Sequence, residues 1–206
     1  MSIEYIIPIV SLKFCRPAVP KKDVRAHLHC VHVLGTVAEA TDGRMLLRRR
    51  DKAQIAPEPL SIPTAAVDWA IKAARGQGKP DSVKILREDD RLTLRVGAQS
   101  FTCESMDGKF PNCDRVVPAD PASAPAGIIG FAPDLLVALS KAAEALPCKA
   151  CVRIYPRGEA AAVVDFPLYV DRPEGAAENG EVAGVVMPIR RTAGIPSVIR
   201  TDGAES

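Results

Sequence analysis

Apolar and polar positions alternate along this chain with two different periods. A helical period opens at residues 63–75, PTAAVDWAIKAAR, where Ala66, Val67, Ala70, Ile71 and Ala74 share one stripe, Pro63 starts the segment, and Gly76 and Gly78 stop it. The same design returns at residues 132–146, APDLLVALSKAAEAL. There Pro133 and Asp134 lie in the first turn, Leu135, Leu136, Leu139 and Ala143 form the stripe, and Pro147 ends it. A third, weaker helical stretch is expected at 21–26, hemmed in by Pro17 and Pro20.

Strand-like alternation predicts extended segments at 28–37, 44–50, 82–87, 91–96, 100–106, 150–155, 161–170 and 182–189. Asp and Gly, which tolerate turn conformations, punctuate them at TDG 41–43, EDD 88–90, MDG 106–108 and PRG 156–158. The order helix, strand, strand, strand occurs twice, over 60–117 and 127–191, and reads as two copies of one unit. Helices backed by antiparallel meanders make this an α+β fold. The run VPADPASAPA at 117–126 reads as an extended connector, and the segment after Arg191, which has no period, reads as a tail.

Composition changes this picture little. In 206 residues, 18 prolines and 14 glycines argue against long helices, and a net charge of +2 is too balanced to announce a nucleic-acid binder by bulk charge. Any contact with DNA must come from local patterning. No run of apolar residues is long enough for a membrane helix, and the opening MSIEYIIPIVSLKF lacks the features of a secretory signal. The expected location is cytoplasmic, and the six cysteines are accordingly read as reduced thiols. Cys148 and Cys151 form the one CxxC, at a strand edge rather than in the strand-to-helix turn that redox chemistry needs.

Three stretches, taken in order, resemble the sliding clamps that serve as the β subunit of bacterial replicative polymerases. DVRAHLHCVHVLGTVAEATDGRMLLRRR at 23–50 is similar to the clamp's middle domain, where a strand pair ends in a TDG turn before a basic, apolar strand. FTCESMDGKFPNCDRVVP at 101–118 is similar to the family's strand, acidic-Gly turn, FP and following VP. VAGVVMPIRR at 182–191 resembles the clamp's terminal strand. The resemblance implies the DNA clamp fold, with residues 1–118 as a middle-type domain, 119–126 as linker, 127–191 as half of a last-type domain, and 192–206 as a flexible tail. A family subunit has three domains of two units each, and its ring closes between first and third domains. This chain resembles only the middle domain and half of the last, so a ring would need a different arrangement, such as four copies, or the protein is an open, partial clamp.

What the resemblance implies about function is a non-enzymatic processivity factor that encircles or cradles duplex DNA and tethers a polymerase or repair protein. It implies a homo-oligomer, a clamp loader as a further partner, and no cofactor. Clamps hold phosphates loosely with Lys and Arg on their helices and read no bases. The candidates here are Lys21, Lys22, Arg25, Lys72, Arg75, Lys79 and Lys141, although acids share the same helices. The run Arg48, Arg49, Arg50 reads instead as a solvated strand end whose side chains alternate between faces. Carried over position by position, the groove that takes partner peptides would be lined by Thr41, Gly43, Met45, Leu46, Pro118, Val185, Met187 and Pro188. Core packing is the competing explanation for the apolar members of that set.

Two other readings compete. One keeps the fold but binds only protein partners. The other is a metal site in HLHCVH, which holds His27, His29, Cys30 and His32. As a strand, that segment would send His27 and His29 to one face and Cys30 and His32 to the other, so few ligands converge. There is no phosphate-binding Gly loop, nucleophile elbow or HExxH pair, and Asp89 with Asp90 sits in a hairpin turn.

Overall fold

The computed structural model describes residues 2–76, 80–106, 108–118, 129–146, 150–157, 160–167 and 181–188. The connector at 119–126, the tail at 192–206, Lys79 and Cys148 lie outside these residues.

The chain opens with a strand, β1 (Ser2–Pro8), that sends Tyr5 and Ile7 inward and leads directly into α1 (Ile9–Cys15). Both elements lie where the sequence predicts neither, while the helix expected at 21–26 is absent; a single 3-10 turn, Ala26–Leu28, follows it instead. The reason is burial. Ile9, Leu12, Phe14 and Cys15 of α1 are all in the core, so tertiary packing rather than helix length sustains this seven-residue element.

Three strands follow as a meander: β2 (Cys30–Gly35), β3 (Val37–Thr41) and β4 (Met45–Arg50). The single strand expected over 28–37 is broken because Gly35 turns the chain at φ +60, a left-handed conformation that favours glycine. Next come β5 (Ala56–Pro63), α2 (Thr64–Ala73) and a second meander, β6 (Ser82–Glu88), β7 (Arg91–Val96) and β8 (Gln99–Glu104). Then α3 (Pro133–Glu144) leads to β9 (Arg153–Arg157), β10 (Ala160–Asp165) and β11 (Glu181–Val186). The sequence thus carries a strand, helix and meander twice, then a helix and meander once more.

The first two units exchange strands. β1 of the first unit pairs with β6 of the second, and β5 of the second pairs with β2 of the first, all antiparallel. One sheet therefore has the order β1-β6-β7-β8. The other runs β5-β2-β3-β4-β11-β10-β9, because β11 adds antiparallel to β4 with Val185 opposite Leu46. The third unit thus extends a sheet of the first. α1 packs between α2 and α3, and Phe14 meets Phe166 edge-on with ring centroids 5.0 Å apart. One large apolar cluster spans all three units, and a smaller one joins Leu28, Cys30, Leu46, Phe110, Cys113 and Val185.

The arginine run departs from a uniformly solvated strand end. Arg50 is exposed, but Arg49 is only 5% exposed and turns under α1. It pairs there with Asp51 at 3.0 Å, while Ser11 donates to Asp51 at 2.6 Å. Strand alternation is the cause, since neighbours on β4 face opposite sides and one of those sides is core. In α3, Leu136 does not join the buried stripe; it is 44% exposed, and Ala142 is buried with Leu135 and Leu139.

Candidate functional site

Leu28, Leu46, Cys113 and Val185 of the smaller apolar cluster form the floor of a cavity of about 210 Å³. Its wall includes Thr41, Gly43, Met45, Leu46, Val185 and Met187, six of the eight residues expected in a partner groove. Pro118 and Pro188 lie outside that wall. The remaining wall comes from Arg25, His27, Leu28, Arg44, Pro111, Asn112, Cys113 and Val116.

Each wall is held by local chemistry. In the β3–β4 turn, Asp42 Oδ1 accepts from the backbone N–H groups of Arg44 and Met45, both at 2.8 Å. The Thr41 hydroxyl donates to the Met45 carbonyl at 2.7 Å and accepts from Gly43 N–H at 3.0 Å. Gly43 has φ +86, a conformation that favours glycine, and a Cβ there would also press on the Arg25 guanidinium, 3.0 Å from its Nη2. Arg25 in turn donates to the Asp42 carbonyl at 3.1 Å and to both carboxylate oxygens of Asp23. That hydrogen bonding holds the Asp23 carboxyl well below the usual carboxylate range.

The opposite wall is the strap at 108–116, whose place in the site the sequence reading missed apart from its FP signature. Phe110 stacks on His32 with centroids 4.6 Å apart and planes within 5°. Arg48 clamps the strap by bridging Glu39 and Asp114, each at 2.6 Å. Burial pushes the His32 imidazole down to about 4, so it is neutral at pH 7. Burial likewise pushes the thiols of Cys30 and Cys113 up to about 11 and 12. Neither is a thiolate nucleophile at neutral pH.

The candidate DNA-contacting residues separate into groups. Lys21, Lys22 and Lys141 line one larger open cleft of about 940 Å³, beside Arg16, Arg44, Asp68 and Asp134. Arg25 faces the smaller cavity instead. Lys72 and Arg75 are exposed at the end of α2, and neither lines the cleft. Two of the cations beside the cleft are paired: Arg16 with Asp68 through two hydrogen bonds of 2.6 and 2.9 Å, and Arg44 with Asp134 at 2.7 Å.

Only the second half of the histidine cluster, Cys30 and His32, lies in the strand expected for it, at the start of β2. His27 lies in the 3-10 turn, His29 meets the Asp23 carbonyl at 2.9 Å, and His32 meets Ser61 Oγ at 3.1 Å. Among the described residues, no three His, Cys, Asp or Glu side chains are grouped to hold a metal ion. No described helix is long and apolar enough to cross a membrane.

No protein-family model and no curated protein matches the sequence. Among solved structures, the fold is similar to the DNA polymerase sliding clamp of Caulobacter crescentus, at 16% identity and a TM-score of 0.68, over 92% of this chain and 66% of that one. The clamp of Pseudomonas aeruginosa is 19% identical with a TM-score of 0.65, over 92% and 66% of the two chains. The clamp of Bartonella birtlesii bound to griselimycin is 18% identical with a TM-score of 0.65, over 91% and 66%. The chain therefore aligns with about two thirds of the length of these structures. Two sheets and interleaved helices in this order give the chain the fold of the bacterial DNA sliding clamps.

Proposed function

We propose that this protein is a non-enzymatic processivity factor of the sliding-clamp kind, which holds a polymerase or repair protein at duplex DNA through a short peptide. The observation that carries the reading is the cavity itself. Residues from four segments, 25–28, 41–46, 111–116 and 185–187, converge on an apolar floor flanked by Arg25 and Arg44. An anchor-in-pocket mode needs this arrangement, because a few buried apolar side chains of a peptide supply most of its affinity.

On this reading Lys21, Lys22 and Lys141 meet phosphates in the large cleft, Lys72 and Arg75 extend the contact along α2, and Lys79 follows in sequence. Such contacts are sequence-independent and weaken steeply with salt. Enclosing DNA takes more than one copy, and placing a closed assembly on circular DNA takes a loader. A second reading, a clamp-fold protein that binds only protein partners, draws on the pairing of Arg16 and Arg44 with acids beside the same cleft.

Retention on circular duplex DNA separates the two. A clamp stays on closed circles and runs off when they are linearised. A protein that is retained on neither, yet binds an apolar-anchored peptide, belongs to the second reading.

A further inference from the structure

Units of this fold meet in two ways. The first two exchange the strands that precede their helices, β1 on β6 and β5 on β2. The first and third meet through their last meander strands instead, β11 on β4 over six consecutive residue pairs, with α3 packed beside α1. The second unit ends in the same part, β8, and β8 is the outer edge of its sheet.

Sheet edges ordinarily carry prolines, charges or bulges that discourage pairing. β5 has Pro57, Pro59 and Pro63. β9 has Pro156 between two arginines, and its ladder with β10 shifts register. β1 lies against β5. β8, with the sequence QSFTCE, has neither a proline nor a basic residue, and it pairs with β7 over six residues without a bulge. Ser105 N–H donates to the Asp90 carbonyl at 2.6 Å, so by the alternation of an antiparallel ladder Phe101 and Cys103 turn their backbone groups toward β7, whereas Ser100, Thr102 and Glu104 turn theirs outward. The side chains of those three are exposed. Beside them runs an apolar border, half-buried Phe101 stacked on Trp69 with centroids 5.4 Å apart and half-buried Cys103.

We propose that β8 seats a second copy of the same chain through that copy's own β8, antiparallel and centred on Thr102. The β4–β11 joint argues for this occupant. It joins last strand to last strand, and because β4 and β11 already hold each other, β8 is the last strand that another copy still has to give. Two identical strands meeting antiparallel lie around a twofold axis, so the contact is isologous and closes at two copies. With Thr102 opposite Thr102, Ser100 falls opposite Glu104 and Phe101 opposite Cys103. The outward backbone groups of both strands then face one another, and each apolar border is covered by its partner. This inference rests on the strand topology and not on the peptide-binding or DNA-binding reading, and its test uses neither ligand.

The test is the solution mass of the full chain by sedimentation, without DNA or peptide. The expected mass is twice 22.0 kDa. Thr102→Pro halves it by removing an outward N–H that β7 does not use, a change that an edge strand tolerates. Thr102→Lys halves it by setting two like charges opposite each other at the axis, and stands in if the proline variant does not fold. Circular dichroism checks that each variant is folded. Leu136→Arg, at the open apolar hollow between α3 and β9, leaves the mass unchanged. A wild-type mass of 22.0 kDa overturns the proposal. So does a multimer that persists in a folded Thr102 variant, or one that Leu136→Arg dissociates.

Discussion

Arg44, at the end of the β3–β4 turn, donates to Asp134 in the first turn of α3 at 2.7 Å, and so links the first unit to the third across ninety residues of sequence. The same guanidinium reaches Asp42 at 3.2 Å, and Arg44 lines both the small cavity and the large cleft. Hydrogen bonding to Arg44 lowers the Asp134 carboxyl from its ordinary value. Because the pair is exposed, its contribution is mostly geometric and is screened by salt. Asp134→Asn is expected to speed amide exchange in the first turn of α3 at low salt and to make little difference at about 1 M salt. Hydrogen exchange read by mass spectrometry at both salt concentrations checks this.

Met187 stands 40% exposed at the cavity wall, where its backbone N–H donates to the Arg44 carbonyl at 2.8 Å. Its side chain is free to meet a ligand while its backbone holds the strand. Met187→Ala should weaken binding of an apolar-anchored peptide about tenfold, a loss of about 1.4 kcal/mol. The unfolding midpoint should barely change. Fluorescence anisotropy with a labelled peptide and a denaturant titration give the two numbers.

Gly184 lies opposite Leu47 in the β11–β4 ladder, and a Cβ there would meet the Leu46 carbonyl oxygen at 2.9 Å. That atom is backbone and gives way only if the ladder shifts. Gly184→Ala is therefore expected to destabilise the protein by about 1–3 kcal/mol and to loosen the wall formed by Val185. Thermal unfolding and peptide affinity should fall together.

The Arg49–Asp51 pair is buried beneath α1, with side chains 6% and 9% exposed, and Nη1 of Arg49 has no hydrogen-bond partner among the described residues. Removing one charge leaves the other desolvated and alone, at a cost of about 3–5 kcal/mol. Asp51→Ala should lose that much stability. The double variant Arg49→Met with Asp51→Leu should recover most of it, because the stranded charge is gone. Urea unfolding of the single and double variants decides.

His32 links stability to pH. Burial lowers its folded pKa to about 4 against an unfolded value of 6.5, so between these limits the unfolded chain binds more protons. Its contribution is fully present above pH 6.5 and declines as the pH falls toward about 4. His32→Gln should flatten the stability profile across that window relative to the wild-type protein, as read by unfolding free energies at stepped pH.

α2 and α3 are legible in the sequence because each carries enough turns for its apolar stripe to show, with prolines at the start and glycine or proline at the stop. α1 is not legible, because seven residues rich in Ile, Leu and Phe read equally as strand or helix until the surrounding core is known. β5 escapes for a related reason. Its sequence APEPLSIP holds prolines that argue against a strand, yet β5 is the edge of its sheet, where a missing backbone N–H is tolerated. In the candidate groove, Thr41, Gly43, Met45 and Leu46 are marked by the TDG turn, and Val185 and Met187 by the last strand. Pro111 is marked only by the FP signature, and Asn112 and Cys113 carry no local mark of belonging there; the Arg48–Asp114 pair and the stack of Phe110 on His32 bring them in.

The sequence by itself determined the α+β class, the repeating order of helix and meander, and the turn that shapes one wall of the cavity. These depend on near neighbours, through backbone conformation, capping and side-chain period. Tertiary structure alone decided that β1 and β5 exchange units, that β11 continues the sheet at β4, that Arg49 is buried while Arg50 is not, and that Leu136 faces an open hollow. Strand partnership and burial are long-range properties, set by which distant apolar surfaces exclude water together, and no local pattern encodes the partner.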